Sequence, residues 1–97
     1  MGVSYYVYIL RCKDNTLYTG YTNDLPARLK KHSEGNGAKY TKGRGPFILE
    51  YCQSYETKRE AMQEEYRLKR WNKGKKETWI VQEKGGCADD FAKELQQ

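Results

Sequence analysis

Apolar and aromatic side chains crowd two short segments near the start of the chain, residues 5–12 with Tyr5, Tyr6, Val7, Tyr8, Ile9 and Leu10, and residues 16–22 with Leu17, Tyr18 and Tyr21. Between them Lys13, Asp14 and Asn15 carry turn chemistry. The pattern predicts a β-hairpin, because aromatic and β-branched residues suit a pleated, half-buried surface. Loop length sets what each face displays, since side chains alternate and a one-residue slip reverses all of them. A two-residue loop at Asp14 and Asn15 puts Tyr8 and Tyr18 on opposite faces. A three-residue loop, with Asn15 in the left-handed region, pairs Leu10 with Tyr18 and Tyr8 with Gly20. The two tyrosines then share a face as diagonal neighbours, and Gly20 leaves the space opposite Tyr8 open.

Further along, Thr22 or Asn23 can cap a helix that opens with Asp24, Leu25 and Pro26 and runs to about His32 or Ser33. Leu25 and Leu29 form its buried stripe, and Arg28 and His32, four apart, share a neighbouring face. Residues 35–46 hold four glycines with Lys39, Tyr40, Lys42 and Arg44 and no apolar period, the pattern of a mobile basic loop. Residues 47–53 alternate Phe47, Leu49 and Tyr51 with Ile48, Glu50 and Cys52, which predicts a third strand with one buried face. Thr57 and Glu60 form a capping box for a second helix. At about 100° per residue, Ala61, Met62 and Leu68 fall on one arc, with Glu65 inside it and Glu64 outside. Gly74 separates a third short helix, residues 75–83, that can bury Trp79 and Ile80. The expected architecture is α+β, a small antiparallel sheet flanked by helices over residues 1–84, followed by a polar tail at 85–97.

A chain of 97 residues can bury one core. No apolar run approaches the roughly 20 residues of a membrane span, and no secretory signal opens the chain, so a cytoplasmic location without membrane contact is expected. Cys12, Cys52 and Cys87 lack metal-site or disulfide-framework spacing and read as ordinary thiols. The net charge is +5. Its distribution carries more meaning, because Arg67, Lys69, Arg70, Lys73, Lys75 and Lys76 follow one another without an acid, and Arg28, Lys30, Lys31, Lys39, Lys42 and Arg44 are interrupted only by Glu34. Such clustering is the footprint of a phosphate-backbone partner. Candidate contacts are Lys31, Lys39, Lys42, Arg44, Arg67, Lys69, Arg70 and Lys73.

Phosphodiester hydrolysis needs a base for water, positive charge on the phosphoryl oxygens and relief of charge on the leaving oxygen. Arg28 can grip a phosphate as a bidentate fork, and Glu65 can anchor one Mg²⁺, an ion that keeps several waters and takes only one or two carboxylates. Tyr8, Tyr18 or His32 can take the proton. Each also has an ordinary role: Tyr5, Tyr6, Tyr21 and Tyr51 suit half-buried strand positions, and Glu65 stands four residues before Lys69, the spacing of a helical ion pair.

The order Tyr6-Val7-Tyr8, Tyr18-Thr19-Gly20, Tyr21-Thr22-Asn23-Asp24-Leu25, Arg28, His32 and then Glu65 within Glu64-Glu65-Tyr66-Arg67-Leu68-Lys69 resembles the GIY-YIG nuclease domain across residues 5–83, and in particular its small single-domain bacterial members. Tyr6, Val7 and Thr19 depart from the glycine and isoleucines of the motifs, and the late asparagine of some members is not assigned to Asn72. The resemblance implies a three-stranded antiparallel sheet with Tyr8, Tyr18, Arg28 and Glu65 around a Mg²⁺- or Mn²⁺-dependent centre, and products with 5′-phosphate and 3′-hydroxyl ends. A nuclease centre needs both tyrosines on one face, so the three-residue loop is the predicted register. The expected function is a metal-dependent endonuclease acting on DNA in preference to RNA, in repair or recombination. The alternatives are a non-catalytic nucleic-acid binding module and a nuclease domain that relies on a protein partner for specificity or activity.

Overall fold

The computed structural model describes residues 4–35, 43 and 45–83. The tail at 85–97 and the greater part of the glycine-rich basic segment, with Lys39, Lys42 and Arg44, lie outside the described residues. The elements in chain order are β1 (Tyr5–Arg11), β2 (Leu17–Thr22), α1 (Leu25–Ser33), β3 (Ile48–Tyr55), α2 (Lys58–Lys69) and α3 (Lys73–Gln82). The fold is α+β, a three-stranded antiparallel sheet in the order β2-β1-β3 with three helices.

The hairpin adopts the three-residue loop. Leu10 pairs with Tyr18 and Tyr8 with Gly20. Asn15 sits at φ 70°, and the Cys12 amide donates to the Thr16 carbonyl at 2.8 Å to close the loop. Asp14 secures the turn by accepting from the Thr16 hydroxyl at 2.6 Å.

Helix ends follow side-chain chemistry, with two adjustments to the expected boundaries. The cap of α1 is Asp24, whose carboxylate accepts from the Ala27 amide at 3.2 Å, while the Thr22 hydroxyl accepts from the Asp24 amide one step earlier. The cap of α3 is Asn72, so Gly74 falls inside the first helical turn and does not separate the helix from the chain before it. Thr57 caps α2 as its sequence predicts, accepting from the Glu60 amide.

Both faces of the sheet are covered. Tyr8, Leu10 and Cys12 pack under Leu25 and Leu29 of α1, together with Phe47, Leu49 and Cys52. Val7 and Ile9 pack on the opposite side against Ala61 and Leu68 of α2, Ile80 of α3 and Tyr51. The expected single buried face of the third strand is therefore corrected. Ile9 pairs with Tyr51 but Leu10 with Leu49, so Glu50 is an extra residue in a β-bulge that sends Leu49 and Tyr51 to opposite faces. Met62, expected on the buried arc of α2, is 44% exposed, because Ala61 and Leu68 already fill the contact with the sheet. Cys12 is a buried free thiol and Cys52 is fully buried in the core, while Cys87 lies outside the described residues.

Arg11 fastens α3 to the sheet. Its guanidinium reaches Glu50 at the bulge and both carboxylate oxygens of Glu77, and Nη1 also donates to Asn15 in the hairpin loop at 2.7 Å. Hydrogen bonds from Arg11, then from Lys73, hold the Glu77 carboxyl down at about 2.

Gly20 is required by the register. A Cβ there would lie 2.7 Å from the Tyr8 hydroxyl oxygen and 3.0 Å from Cε2 of Tyr18. Tyr8 is fully buried and has little room to retreat. Gly20→Ala is expected to cost about 1–3 kcal/mol, the usual penalty of overpacking, read as a lower urea midpoint at unchanged slope.

Candidate active site

Three rings converge beneath α1. The Tyr8 hydroxyl lies 2.9 Å from Nε2 of His32, and the Tyr8, Tyr18 and His32 rings stand 5.3 to 6.2 Å apart, centroid to centroid. Phe47 closes the back of the group at 5.9 Å from the His32 ring. His32 was expected on a face with Arg28 that neighbours the leucine stripe. It instead joins Leu25 and Leu29 in the buried stripe, which the steps of four and three residues allow, and Arg28 stays half-buried beside it.

Burial and charge set the protonation of this group. Burial first, and the Arg28 guanidinium second, lower His32 to about 4. Burial first, and Tyr18 second, push Tyr8 above its ordinary value, while Arg28 opposes them by charge and hydrogen bonding. At neutral pH both side chains are therefore uncharged. In the imidazole tautomer protonated on Nδ1, Nε2 accepts the Tyr8 hydroxyl proton.

In front of the rings a cleft of about 410 Å³ opens at the edge of β2 away from β1. Arg28 enters it from α1, on one face of the sheet, and Glu65 enters from α2, on the other. Tyr18 lines the same cleft. Glu64 and Glu65 are buried to similar extents, with side chains 16% and 18% exposed. Their partners separate them: Arg67 occupies both oxygens of Glu64 at 2.7 Å, while Glu65 faces the cleft with Lys69 at 3.4 Å. Of the expected site residues, Tyr18, Arg28 and Glu65 line the cleft, and Tyr8 and His32 sit sealed behind it.

The lining also includes Tyr5, Tyr21, Thr22, Asn23 and Lys58, none of them selected from the sequence as site residues. Tyr5 and Tyr21 were placed in the sheet, where they are, and also form the wall of the cleft on the α2 side. Lys58 precedes Glu65 by seven residues, two helical turns, which was the available signal. The expected backbone contacts disperse. Lys31 is exposed on α1, while Arg67, Lys69 and Lys73 pair with Glu64, Glu65 and Glu77, and Arg70 lies over the Tyr66 ring. Lys76 is buried and donates to the Thr19 hydroxyl at 3.0 Å.

Among the described residues, no three His, Cys, Asp or Glu side chains stand close enough to enclose a metal. That excludes a zinc-type cage there but suits Mg²⁺ or Mn²⁺, for which one carboxylate in an open polar cleft, completed by water, is a sufficient anchor.

Residues 4–78 match the family model described as the GIY-YIG catalytic domain. The chain belongs to the GIY-YIG family. It is 56% identical over 81 residues to a UPF0213 protein of Bacillus velezensis, covering 84% of this chain and 82% of that one. A UPF0213 protein of Halalkalibacterium halodurans is 50% identical over 91 residues, 94% and 96% of the two chains. The solution NMR structure of a UPF0213 protein from Bacillus halodurans superposes with a TM-score of 0.58 at 47% identity, covering 90% of this chain and 93% of that one.

Two departures from the GIY-YIG pattern have physical explanations. Thr19 stands where the second motif has isoleucine because its hydroxyl is the hydrogen-bond partner of the buried Lys76 ammonium. Asn72 serves as the α3 cap, accepting from the Lys75 amide at 2.8 Å, consistent with its having no other assigned role.

The depressed His32 makes the fold acid-sensitive. An unfolded histidine takes up a proton near 6.5, whereas His32 in the fold resists it to about 4. Stability from this group is complete above 6.5 and is lost as pH falls toward 4, by about 3 kcal/mol. Urea titrations of the natural chain and His32→Gln across that window are expected to show the natural chain alone carrying this loss. Parallel pH profiles would mean that His32 titrates normally.

Proposed function

We propose that the protein is a metal-dependent endonuclease that hydrolyses phosphodiester bonds of DNA. The observation that carries this reading is the meeting of Arg28 and Glu65, delivered from opposite faces of the sheet, in one cleft that Tyr18 also lines. Family membership supports a nuclease-type chemistry on nucleic acid.

The roles follow from position. Arg28 binds the phosphoryl oxygens of the scissile group through its planar fork. Tyr18, the motif tyrosine that lines the cleft, contacts the attacking water and, in its phenolate form, takes the proton to become the neutral phenol. Tyr8 and His32 are positioning residues: their neutral hydrogen bond fixes the Tyr18 ring from behind without introducing a charge. Glu65 would hold one Mg²⁺ or Mn²⁺, which when bound supplies positive charge to the leaving 3′ oxygen. Lys58 adds a cation at the mouth of the cleft. The products are a 5′-phosphate and a 3′-hydroxyl end, and repair or recombination intermediates are the DNA class to try first. Specificity or full activity can in addition depend on a protein partner.

The deciding experiment follows cleavage of labelled single-stranded, duplex, flapped and branched DNAs, with matching RNAs, in Mg²⁺ and Mn²⁺. The natural chain is expected to cut DNA, and Glu65→Ala and Arg28→Ala to lose at least about a hundredfold in rate, as for other positioned electrostatic groups, while keeping their circular-dichroism melts. Undiminished cutting by Glu65→Ala would refute the assignment. Binding without cutting by the natural chain would favour the binding-module alternative.

A further inference from the structure

The outward side of α2 carries features that neither the core nor the cleft requires. At about 100° per residue, Lys58, Lys69, Met62, Tyr66, Arg59, Arg70 and Gln63 fall within about 140° of its circumference. Glu65 borders this stripe on the cleft side, and Glu60 and Glu64 lie beyond its other margin. Four cations therefore share a face, and the one carboxylate at its border, Glu65, pairs with Lys69. Between them Met62 is 44% exposed and Tyr66 is 64% exposed, large apolar surfaces of the kind that mark recognition sites.

Shallow hollows run in series along this face, each sharing a residue with the next. Lys58 lines the cleft and also a hollow of about 580 Å³ with Arg59, Met62, Gln63 and Tyr66. Tyr66 then lines a hollow of about 400 Å³ with Arg67, Arg70 and Trp71. Cations stand against the rings: Arg70 is 5.7 Å from the Tyr66 centroid, and Arg67 and Lys75 are 5.0 and 4.3 Å from that of Trp71. Alternating rings and cations match the demands of an unpaired strand, which offers base faces for stacking and a phosphate at every step. A duplex keeps its base faces inside, and a second copy of this chain would bring like charges together.

We propose that the outward face of α2 is a track for single-stranded nucleic acid leading from the cleft, so that the substrate carries an unpaired segment beside the bond that is cut; the link to cutting rests on the reading of the cleft given above. From Lys58 to Arg70 the helix rises about 18 Å. At about 3.4 Å per nucleotide of a stacked strand, the track accommodates about five nucleotides.

The test is fluorescence anisotropy without divalent metal, using a DNA strand of about 15 nucleotides, within the range of known single-strand sites, the RNA of the same sequence, and the corresponding DNA duplex. Tyr66→Ala is expected to weaken strand binding about tenfold and to leave duplex binding unchanged. Because Tyr66 is exposed, its melt should stay that of the natural chain. The double variant Arg59→Gln, Arg70→Gln is expected to flatten the log–log salt dependence for the strand by about 1.4. Strand binding unaltered by Tyr66→Ala, an unaltered salt slope in the double variant, or self-association through this face without strand binding would each overturn the proposal. Tyr66-dependent strand binding with no cleavage by the natural chain would sustain the track and overturn the nuclease reading. Cleavage with strand binding indifferent to Tyr66 would do the reverse.

Discussion

The site depends on a close approach, that of the Tyr8 hydroxyl to the backbone of Gly20. It exists because Asn15 takes a left-handed conformation and makes the hairpin loop three residues long. One residue fewer would turn Tyr18 to the other face, away from Tyr8 and His32. With the register set, the Tyr8 ring occupies the volume a side chain at position 20 would need, and its hydroxyl meets His32. Turn chemistry in the first fifteen residues thus decides whether two tyrosines can act together.

The second constraint is the sheet edge. A strand bonded on one side only leaves backbone groups open and is ordinarily a liability. Among the described residues β2 has β1 on one side only, and the cleft lies along its other edge. Helices packed on opposite faces can both reach around that edge, as Arg28 and Glu65 do. Neither face alone could bring these two side chains together. The position also accounts for two residue types, since Tyr5 and Tyr21 pack on the apolar cluster on the α2 side and also line the cleft, a double duty that an amphipathic ring can serve.

Much of this was legible in the sequence because it is local. The hairpin and its register, the Thr57 cap and the buried Ala61 and Leu68 follow from turn residues, side-chain alternation and helical angle. What stayed hidden depends on how elements meet. Nothing in the alternation of residues 47–53 announces that Glu50 is an extra residue, because the bulge is defined by the partner strand. Met62 looks like core until Ala61 and Leu68 are seen to fill the contact. The pairing of Arg67 with Glu64 and of Lys73 with Glu77 is different, because it follows from the same local helical spacing as Glu65 with Lys69. Lys58 entered the cleft unnoticed because a lysine after a helix cap is ordinary. The order of Tyr8, Tyr18, Arg28, His32 and Glu65 was readable; that two of them are sealed behind the other three was not.

The hydrogen bond from Lys76 to Thr19 has a mechanical meaning. Strand β2 is gripped on both sides at adjacent residues: the Tyr18 ring lies among aromatic neighbours beneath α1, and the Thr19 hydroxyl is tied to α3. Arg11 anchors the same helix to the hairpin loop and the bulge through Glu77 and Glu50. Although α3 lines no part of the cleft, it acts as a brace for the strand that does. A shift of that helix, whether from a ligand on its surface or from heating, would be transmitted to Tyr18 through a single intervening residue.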